Sequence, residues 1–453
     1  MKDSGGNIFR SLLSRSNLLF IAFGCSTFLI YRLSLRSQSA ADILWFLKLE
    51  AIQCGLYAAA AWLALKSKAR HSTLIIIIVF AALFRLGILF SPPYLSDDIY
   101  RYIWDGRVQA AGINPYRYIP ADPALSHLRD DTIYPRINRR DYARTIYPPV
   151  AEAVYFLTTR VSESVTWMKA TIILFEGIAI WAIAQLLASL GLPRQRLLIY
   201  AWHPLTVWEF AGSGHLDAIA IAFIALALLA RRRDAEIASG LSLAGATLTK
   251  LFPIVLLPAL YQRRRWKMVL AFALMIMIGY MPYLGVGPRG ALGFLFGYAK
   301  ERGIESGEQF FLLSVIRRLS RGFHVPTYGF VVVAVVVATV LAFWMVRRQD
   351  GGETTYVRHS FIIASMFTTL LSPHFAWYYT WLVPFLCFIP SVPVFYLTLS
   401  SFLLYLTWIY WTDDQVFMVK ALIFIPFLFL LAITFWRRRR FALVLAKTEP
   451  AES

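Results

Sequence analysis

The run "STLIIIIVFAALFRLGILF", residues 72–90, carries one charge in nineteen positions. A stretch of that length and character crosses the roughly 30 Å hydrocarbon core of a bilayer as one helix. In lipid every backbone N–H and C=O needs an internal partner, so only helices and closed barrels are available. Comparable runs recur at about 17–33, 49–65, 168–190, 197–211, 215–230, 267–285, 326–346, 358–371, 376–390, 392–410 and 416–436. Two more stretches, 148–163 and 238–260, are ambiguous. The chain is therefore expected to be an all-α polytopic membrane protein of about 11–13 transmembrane helices. Its 58% hydrophobic and 16% charged residues agree, since soluble domains average nearer 45–50% and 25%. The basic start "MKDSGGNIFRSLLSRSNLLF" runs into apolar sequence with no small-residue cleavage site, so a first span rather than a cleaved leader is expected there.

A net charge of +19 suggests nucleic acid until its distribution is considered. The basic residues gather at span ends, in "KSKAR" (66–70), "RRR" (231–233), "RRRWK" (263–267), "RR" (347–348) and "RRRR" (437–440). That is the positive-inside pattern of a membrane protein, and no nucleic-acid partner is expected. Residues 94–149 instead hold eight Arg and seven Asp, with neither Lys nor Glu, so the long loop is nearly neutral. Cys25, Cys54 and Cys387 all lie in apolar segments, which predicts neither a disulfide nor a thiolate metal site.

Charge placement sets the topology. With both termini cytoplasmic, 92–149 is an extracytoplasmic loop and 286–325 a second one. "RRR" at 231 and "RRRWK" at 263 both favour the cytoplasm, although 238–260 lies between them. A re-entrant hairpin broken near Lys250, Pro253 and Pro258 satisfies both clusters, and 148–163 is then not a full span; if 148–163 does cross, the topology between 164 and 260 inverts, at a cost to the charge rule. The chain divides into N-terminal spans (1–72), a catalytic membrane module (73–285), a C-terminal membrane module (286–436) and a cytoplasmic tail (437–453).

The first loop opens "SPPYLSDDIYRYIWDGRVQAAGINPY" (91–116). Ser96 is placed to N-cap a helix with Asp97 and Asp98 in its first turn, where the helix dipole favours negative charge. Asp98, Arg101, Tyr102 and Asp105 then share one face and Ile99 and Ile103 another, which predicts a helix lying at headgroup level. Simple capping and a surface Asp98–Arg101 pair would explain the fragment equally well. The Pro- and aromatic-rich continuation through "GINPY" (112–116) and "TIYPPV" (145–150) argues for a working loop. Further along, "SGHLDAIA" sets His215 and Asp217 at a span head, "TLTKLFP" sets Lys250 among apolar residues, and "SPHFAWYYTWLVP" (372–384) sets His374 beside aromatics. Ionisable groups inside a membrane are costly and are functional candidates by default. Capping by Asp217, snorkelling by Lys250 and an interfacial role for His374 remain open beside that.

The combination "SDDIYRYIWDGRVQAAGINPY…IYPPV", "GHLDAIAI", "TKLFPIVLLP" and "SPHFAWYYTWLVP" resembles the GT-C class of integral-membrane glycosyltransferases, in particular the bacterial polyprenol-phosphate-mannose-dependent mannosyltransferases. The resemblance covers roughly residues 73–410. It implies a GT-C-type bundle whose large first outer loop carries juxtamembrane helices. It also implies a polyprenyl-phosphate-sugar donor, a glycolipid or glycan acceptor, and transfer at the extracytoplasmic face. The family's catalytic carboxylate maps onto Asp97 and Asp98, with Asp98 the first choice of base. Arg101, Arg107, Lys250 and His374 are candidates for the donor phosphate, and His215, Asp217, Tyr378 and Tyr379 for the donor sugar or lipid. Asp105, Asn114, Tyr116 and Tyr147 are assigned to the loop and acceptor. A polyprenyl phosphate departs as an anion, so one base and a set of cations suffice, and inversion at the anomeric carbon is expected. No cofactor or obligatory metal is expected. The family's aromatic- and Asn-containing later loop is replaced here by the charged "YAKERGIESGEQF" (298–310). The rival readings are a polytopic transporter or flippase, and a polymerase or ligase with large outer loops.

Overall fold

The computed structural model describes residues 14–36, 42–68, 70–263, 265–287, 290–320, 325–348 and 352–448, with backbone alone from 438. The expected character of 1–13, the tail beyond 448 and the side chains of "RRRR" past Arg437 lie outside the described residues. The described residues contain helices and no strand.

Among the described residues seven helices are long and apolar enough to cross a membrane. They are α1 (Arg15–Ser34), α2 (Ile43–Lys66), α3 (His71–Leu89), α6 (Val165–Ser189), α9 (Trp266–Tyr280, prolonged to Val286), α12 (Thr327–Arg347) and α15 (Asp413–Thr448, with Pro426 inside). Between them come α4 (Asp98–Ala110), α5 (Pro149–Thr159), α7 (Asp217–Arg232), α8 (Glu236–Thr249), α10 (Leu295–Glu301), α11 (Phe311–Leu319), α13 (Thr355–Leu371) and α14 (Val392–Ser400). α12 shows what the surroundings contribute. Its Val332, Val333 and Val336 are more than half exposed, and such a β-branched run is a poor helix former in water. In lipid the helix is the fold that satisfies its backbone.

The other expected crossings are short or interrupted. Residues 197–211 form turns at Leu198–Ala201 and Pro204–Val207 and a π turn at Trp208–Gly212. Pro204 has no N–H to continue the ladder. The freed carbonyls are answered from within the protein. Tyr57 Oη donates to Ile199 O (2.7 Å), Arg85 Nη1 to Ala201 O (2.7 Å) and Thr206 Oγ1 to His203 O (2.9 Å). Arg85 is itself clamped by the buried Glu176 at 2.5 Å. Residues 376–386 are broken in the same way, and 392–408 form α14 followed by a 3₁₀ segment.

Segment 148–163 yields only the eleven-residue α5, packed against α4, and is not a span. Segment 238–260 forms the expected hairpin. α8 runs up beside α7, breaks at Lys250, and returns through Phe252–Leu256 and Leu257–Leu260. Arg231 Nε donates to Leu260 O at 3.0 Å and Arg265 pairs with Asp234, so both basic clusters lie at one end of the protein.

Two local expectations are corrected. α4 starts at Asp98 with Asp97 at its cap position, and among the described residues Ser96 Oγ accepts from Asp98 N (3.2 Å) rather than from deeper in the first turn. α4 is also not a surface helix, because Ile99 through Gly106 and Val108 are all buried within the protein. The loop folds over it. Asn114 Nδ2 bonds Tyr283 O, Tyr116 Oη bonds Tyr147 O, and Thr145 O accepts from Phe294 N.

Candidate active site

α4 delivers Asp97 and Asp98 to the wall of a cavity of about 680 Å³. The rest of the wall comes from the loop (Asn138, Arg139, Tyr142, Tyr147), the α7 approach (His215), the hairpin tip (Thr249–Phe252), α10 and its end (Tyr298, Arg302) and the broken segment 375–378. Asn138 Nδ2 donates to Asp98 Oδ1 at 2.7 Å and to Asp97 Oδ1 at 2.8 Å, so one amide spans both carboxylates. Arg139 beside it sits in the left-handed region, φ 54°, an uncommon place for a side chain this large. It pairs with Glu301 at 2.8 Å.

The Asp98 side chain is 21% exposed, so it is covered yet reachable from the cavity. Burial, and then the Asp97 charge, push its carboxyl up from the ordinary carboxylate range. The Asn138 bond and the Arg139 and Lys250 cations act the other way. On its far side His215 Nδ1 lies 3.9 Å from Asp98 Oδ2, and His215 Nε2 lies 3.5 Å from the buried Glu209. Glu209 Oε1 accepts from Tyr405 Oη at 2.6 Å, and Trp377 stacks on His215 with centroids 4.1 Å apart. The turn before His215 depends on Gly214, whose φ is +77° and whose missing Cβ would meet Ile99 Cδ1 at 2.5 Å.

Lys250 follows α8 at the hairpin tip. Its Nζ bonds both oxygens of Asp217 (2.7 and 2.8 Å) and lies 4.1 Å from the Tyr378 ring centroid. Asp217 thus reaches the site through Lys250. Arg302 stacks between Tyr298 (4.7 Å) and Phe375 (4.3 Å), and its Nε has no hydrogen-bond partner among the described residues. Tyr298 and Tyr378 share a 2.9 Å hydroxyl contact.

Asp97, Asp98, His215, Lys250, Tyr147 and Tyr378 therefore meet at one cavity. Arg101 and Arg107 do not. Arg101 Nε bonds Asp105 (2.9 Å) and its Nη1 bonds Ala143 O, while Arg107 is held by Asp130 (2.7 Å) and Glu163 (2.8 Å). Their guanidiniums are spent inside the loop, and the donor-phosphate assignment to them is corrected. Arg107 and the Ile133 and Tyr134 N–H groups hold Asp130 below the usual carboxylate range despite some burial. Asp105, Asn114 and Tyr116 brace the same loop. Tyr379 is buried and donates to Pro373 O, and His374 lines two cavities that adjoin the first across the shared Arg302 and Phe375. Sequence reasoning missed Asn138, Arg139, Arg302, Tyr298 and Glu209. Glu209 alone carried a signal, as a carboxylate in an apolar run. Among the described residues no three His, Cys, Asp or Glu side chains converge as a metal site.

Fold and site together define an all-α polytopic membrane protein with an aromatic-lined, cation-flanked cavity that holds an acidic pair and is walled in part by its first long loop. Residues 35–263 match the family described as Alpha-(1->6)-mannopyranosyltransferase, N-terminal domain, and the chain belongs to that family. It is similar to Alpha-(1->6)-mannopyranosyltransferase A of Mycobacterium tuberculosis (strain ATCC 25618 / H37Rv), 24% identical over 327 residues. That alignment spans 65% of this chain and 61% of the relative. The family match contains the acidic pair, Asn138, His215 and Lys250, and ends before Arg302 and Tyr378.

Proposed function

We propose that this protein is an α-mannosyltransferase that moves a sugar from a polyprenyl-phosphate donor to a glycolipid or glycan acceptor at the extracytoplasmic face. The observation that carries the reading is the Asp97–Asn138–Asp98 bridge in a cavity whose wall also holds Lys250, Arg139 and Arg302. Asp98 takes the proton of the acceptor hydroxyl. That oxygen bonds to the anomeric carbon as the bond from that carbon to the phosphate oxygen breaks, and the lipid phosphate leaves with the electron pair. Attack opposite the leaving group inverts the anomeric carbon. The phosphate needs cations rather than an acid, and Arg302 and Lys250 supply them within the cavity. Trp377 and Tyr378 offer aromatic faces to the sugar. Asp97 orients Asp98 through Asn138. Because the leaving group is already an anion, the proposed step needs no divalent metal, which an EDTA-treated sample tests.

A transporter would also have broken helices and buried charges. The family match and the acidic pair favour transfer. Purified protein in proteoliposomes, given polyprenyl-phosphate-mannose and a glycolipid acceptor, is expected to release polyprenyl phosphate and form an α-linked product. Asp98→Asn is expected to lower turnover by about 10²–10⁴ while remaining folded. Full transfer by folded Asp98→Asn, or a product that keeps the donor's configuration, would sink the mechanism.

A further inference from the structure

A second cavity, of about 670 Å³, lies at the other end of the protein from the acidic pair. α7 measures the separation, since Asp217 at its start holds Lys250 of the first cavity, whereas Arg231 and Arg232 at its end line the second. Sixteen residues of helix put about 24 Å between them. Among the described residues five arginines line this cavity, Arg231, Arg232, Arg263, Arg265 and Arg347, against two carboxylates, Asp234 and Glu353.

Three separate stretches bring these groups together, namely the α7 end, the return of the hairpin, and the end of α12 with the start of α13. The positive-inside rule explains arginines at this end of the protein. It does not explain why they surround a space, because long basic side chains at span ends ordinarily snorkel outward into water. Arg265 pairs with Asp234 and, at 3.7 Å, with Glu236, and Arg232 pairs with Glu353 at 3.1 Å. Arg231 reaches a carbonyl and the face of Tyr356 (5.2 Å), and Arg347 rests on the Phe343 ring (4.4 Å). Tyr356 also lines the cavity. It is 6% exposed, and its hydroxyl has no hydrogen-bond partner among the described residues. Burying an unpaired hydroxyl is unfavourable, and an acceptor oxygen from a ligand would offset that cost.

The depth of the cavity identifies the kind of anion. Trp266, 62% exposed, opens α9 one residue after Arg265, and Trp344, 38% exposed, precedes Arg347 by one turn. Exposed tryptophans at span ends mark the headgroup level. Beyond the cavity rim on α12, Phe343 and Val340 are about 60% exposed, an apolar surface for acyl chains. We infer that this basic cavity binds a phosphate-bearing anion at headgroup depth, of the kind an anionic phospholipid presents. Arg231 and Arg347 contact the phosphate oxygens, and the Tyr356 hydroxyl donates to one of them. Arginine forks suit phosphate geometry, and basic pockets between spans are known anionic-lipid sites. The inference does not depend on the transfer reaction.

The test uses the full chain in neutral detergent, with its thermal midpoint followed against added lipid. Cardiolipin is the anionic probe, phosphatidylcholine the zwitterionic control, and inorganic phosphate and pyrophosphate the soluble controls. Cardiolipin is expected to raise the midpoint saturably, and phosphatidylcholine is not. Arg231→Gln and Arg347→Gln are each expected to weaken the apparent affinity about tenfold, and Tyr356→Phe, which keeps the ring, by less. Transfer activity at saturating substrate should be unchanged in Arg347→Gln. A saturable shift from pyrophosphate alone, lost in the same variants, supports phosphate recognition and assigns its source to a soluble ester. No saturable shift with either probe, or a cardiolipin shift that survives all three substitutions, overturns the inference.

Discussion

The Asn138 amide donates to the Asp98 carboxylate at 2.7 Å, closing forty residues of loop onto the first turn of α4. The second amide hydrogen goes to Asp97. Asp98 is thereby fixed in orientation while one of its oxygens stays turned toward His215 and the cavity. A base that must meet an acceptor hydroxyl within hydrogen-bond reach needs that restraint.

The arrangement sets a pH dependence. Asp98 is raised by burial and by Asp97, so the deprotonated base is lost at a higher pH than for an ordinary carboxylate. Transfer should fall as pH drops through that raised value. Removing Asp97 removes a charge that raises it, so Asp97→Asn should move the acid limb to lower pH. Removing Asn138 removes a bond that stabilises the charged form, so Asn138→Ala should move the limb to higher pH. The pH–rate profiles of the three proteins decide this. An acid limb that stays put in both variants would count against Asp98 as the base.

Arg101 and Arg302 should part company when each is changed to Gln. Arg101 and Asp105 are 5% and 2% exposed, so breaking that pair should cost about 3–5 kcal/mol and lower the thermal midpoint. Asp105→Asn in the same chain should recover much of the loss. Arg302→Gln should leave the midpoint nearly unchanged and raise the KM for the lipid donor. Equal midpoint losses in both would remove Arg302 from the proposed site.

Lys250 and Asp217 form a second coupled pair. Lys250→Met leaves Asp217, 1% exposed, without its cation, and should destabilise the protein by about 3–5 kcal/mol. Lys250→Met with Asp217→Asn should regain most of that stability without regaining transfer. A double variant that transfers sugar normally would make the pair purely structural.

Gly214→Ala carries two penalties of different origin. The left-handed backbone costs about 1–2 kcal/mol for an L side chain, and the new Cβ runs into Ile99. Made in an Ile99→Ala background and compared with Ile99→Ala alone, Gly214→Ala should lose the clash and keep the backbone cost. Thermal midpoints of these variants measure the split. No loss at all in Gly214→Ala would mean that the His215 turn relaxes freely.

The legible part of the fold followed from local sums. Apolar runs of about twenty residues announced α1, α2, α3, α6, α9, α12 and α15. The two arginine clusters flanking 238–260 announced the hairpin, because two like-charged ends resist being placed on opposite faces of a membrane. The acidic pair was legible as two carboxylates beside a span with no apparent solvent purpose. Lys250 and His215 were legible because an ionisable group in an apolar run requires a reason.

The sequence by itself determined the membrane class, the segments that turn back, and the carboxylates that invite chemistry, because hydropathy and burial cost are properties of a residue and its near neighbours. Only the tertiary structure decided which cations serve the cavity and which are consumed. Arg101 faces Asp98 across one helical turn in sequence, yet Asp105 takes it one turn on. Arg107 is taken by Asp130 and Glu163, 23 and 56 positions away. Arg302 reaches the cavity some two hundred residues after the acidic pair. A charge pair forms with whichever partner the packing brings within about 4 Å, and that distance is set by helices far apart in the chain.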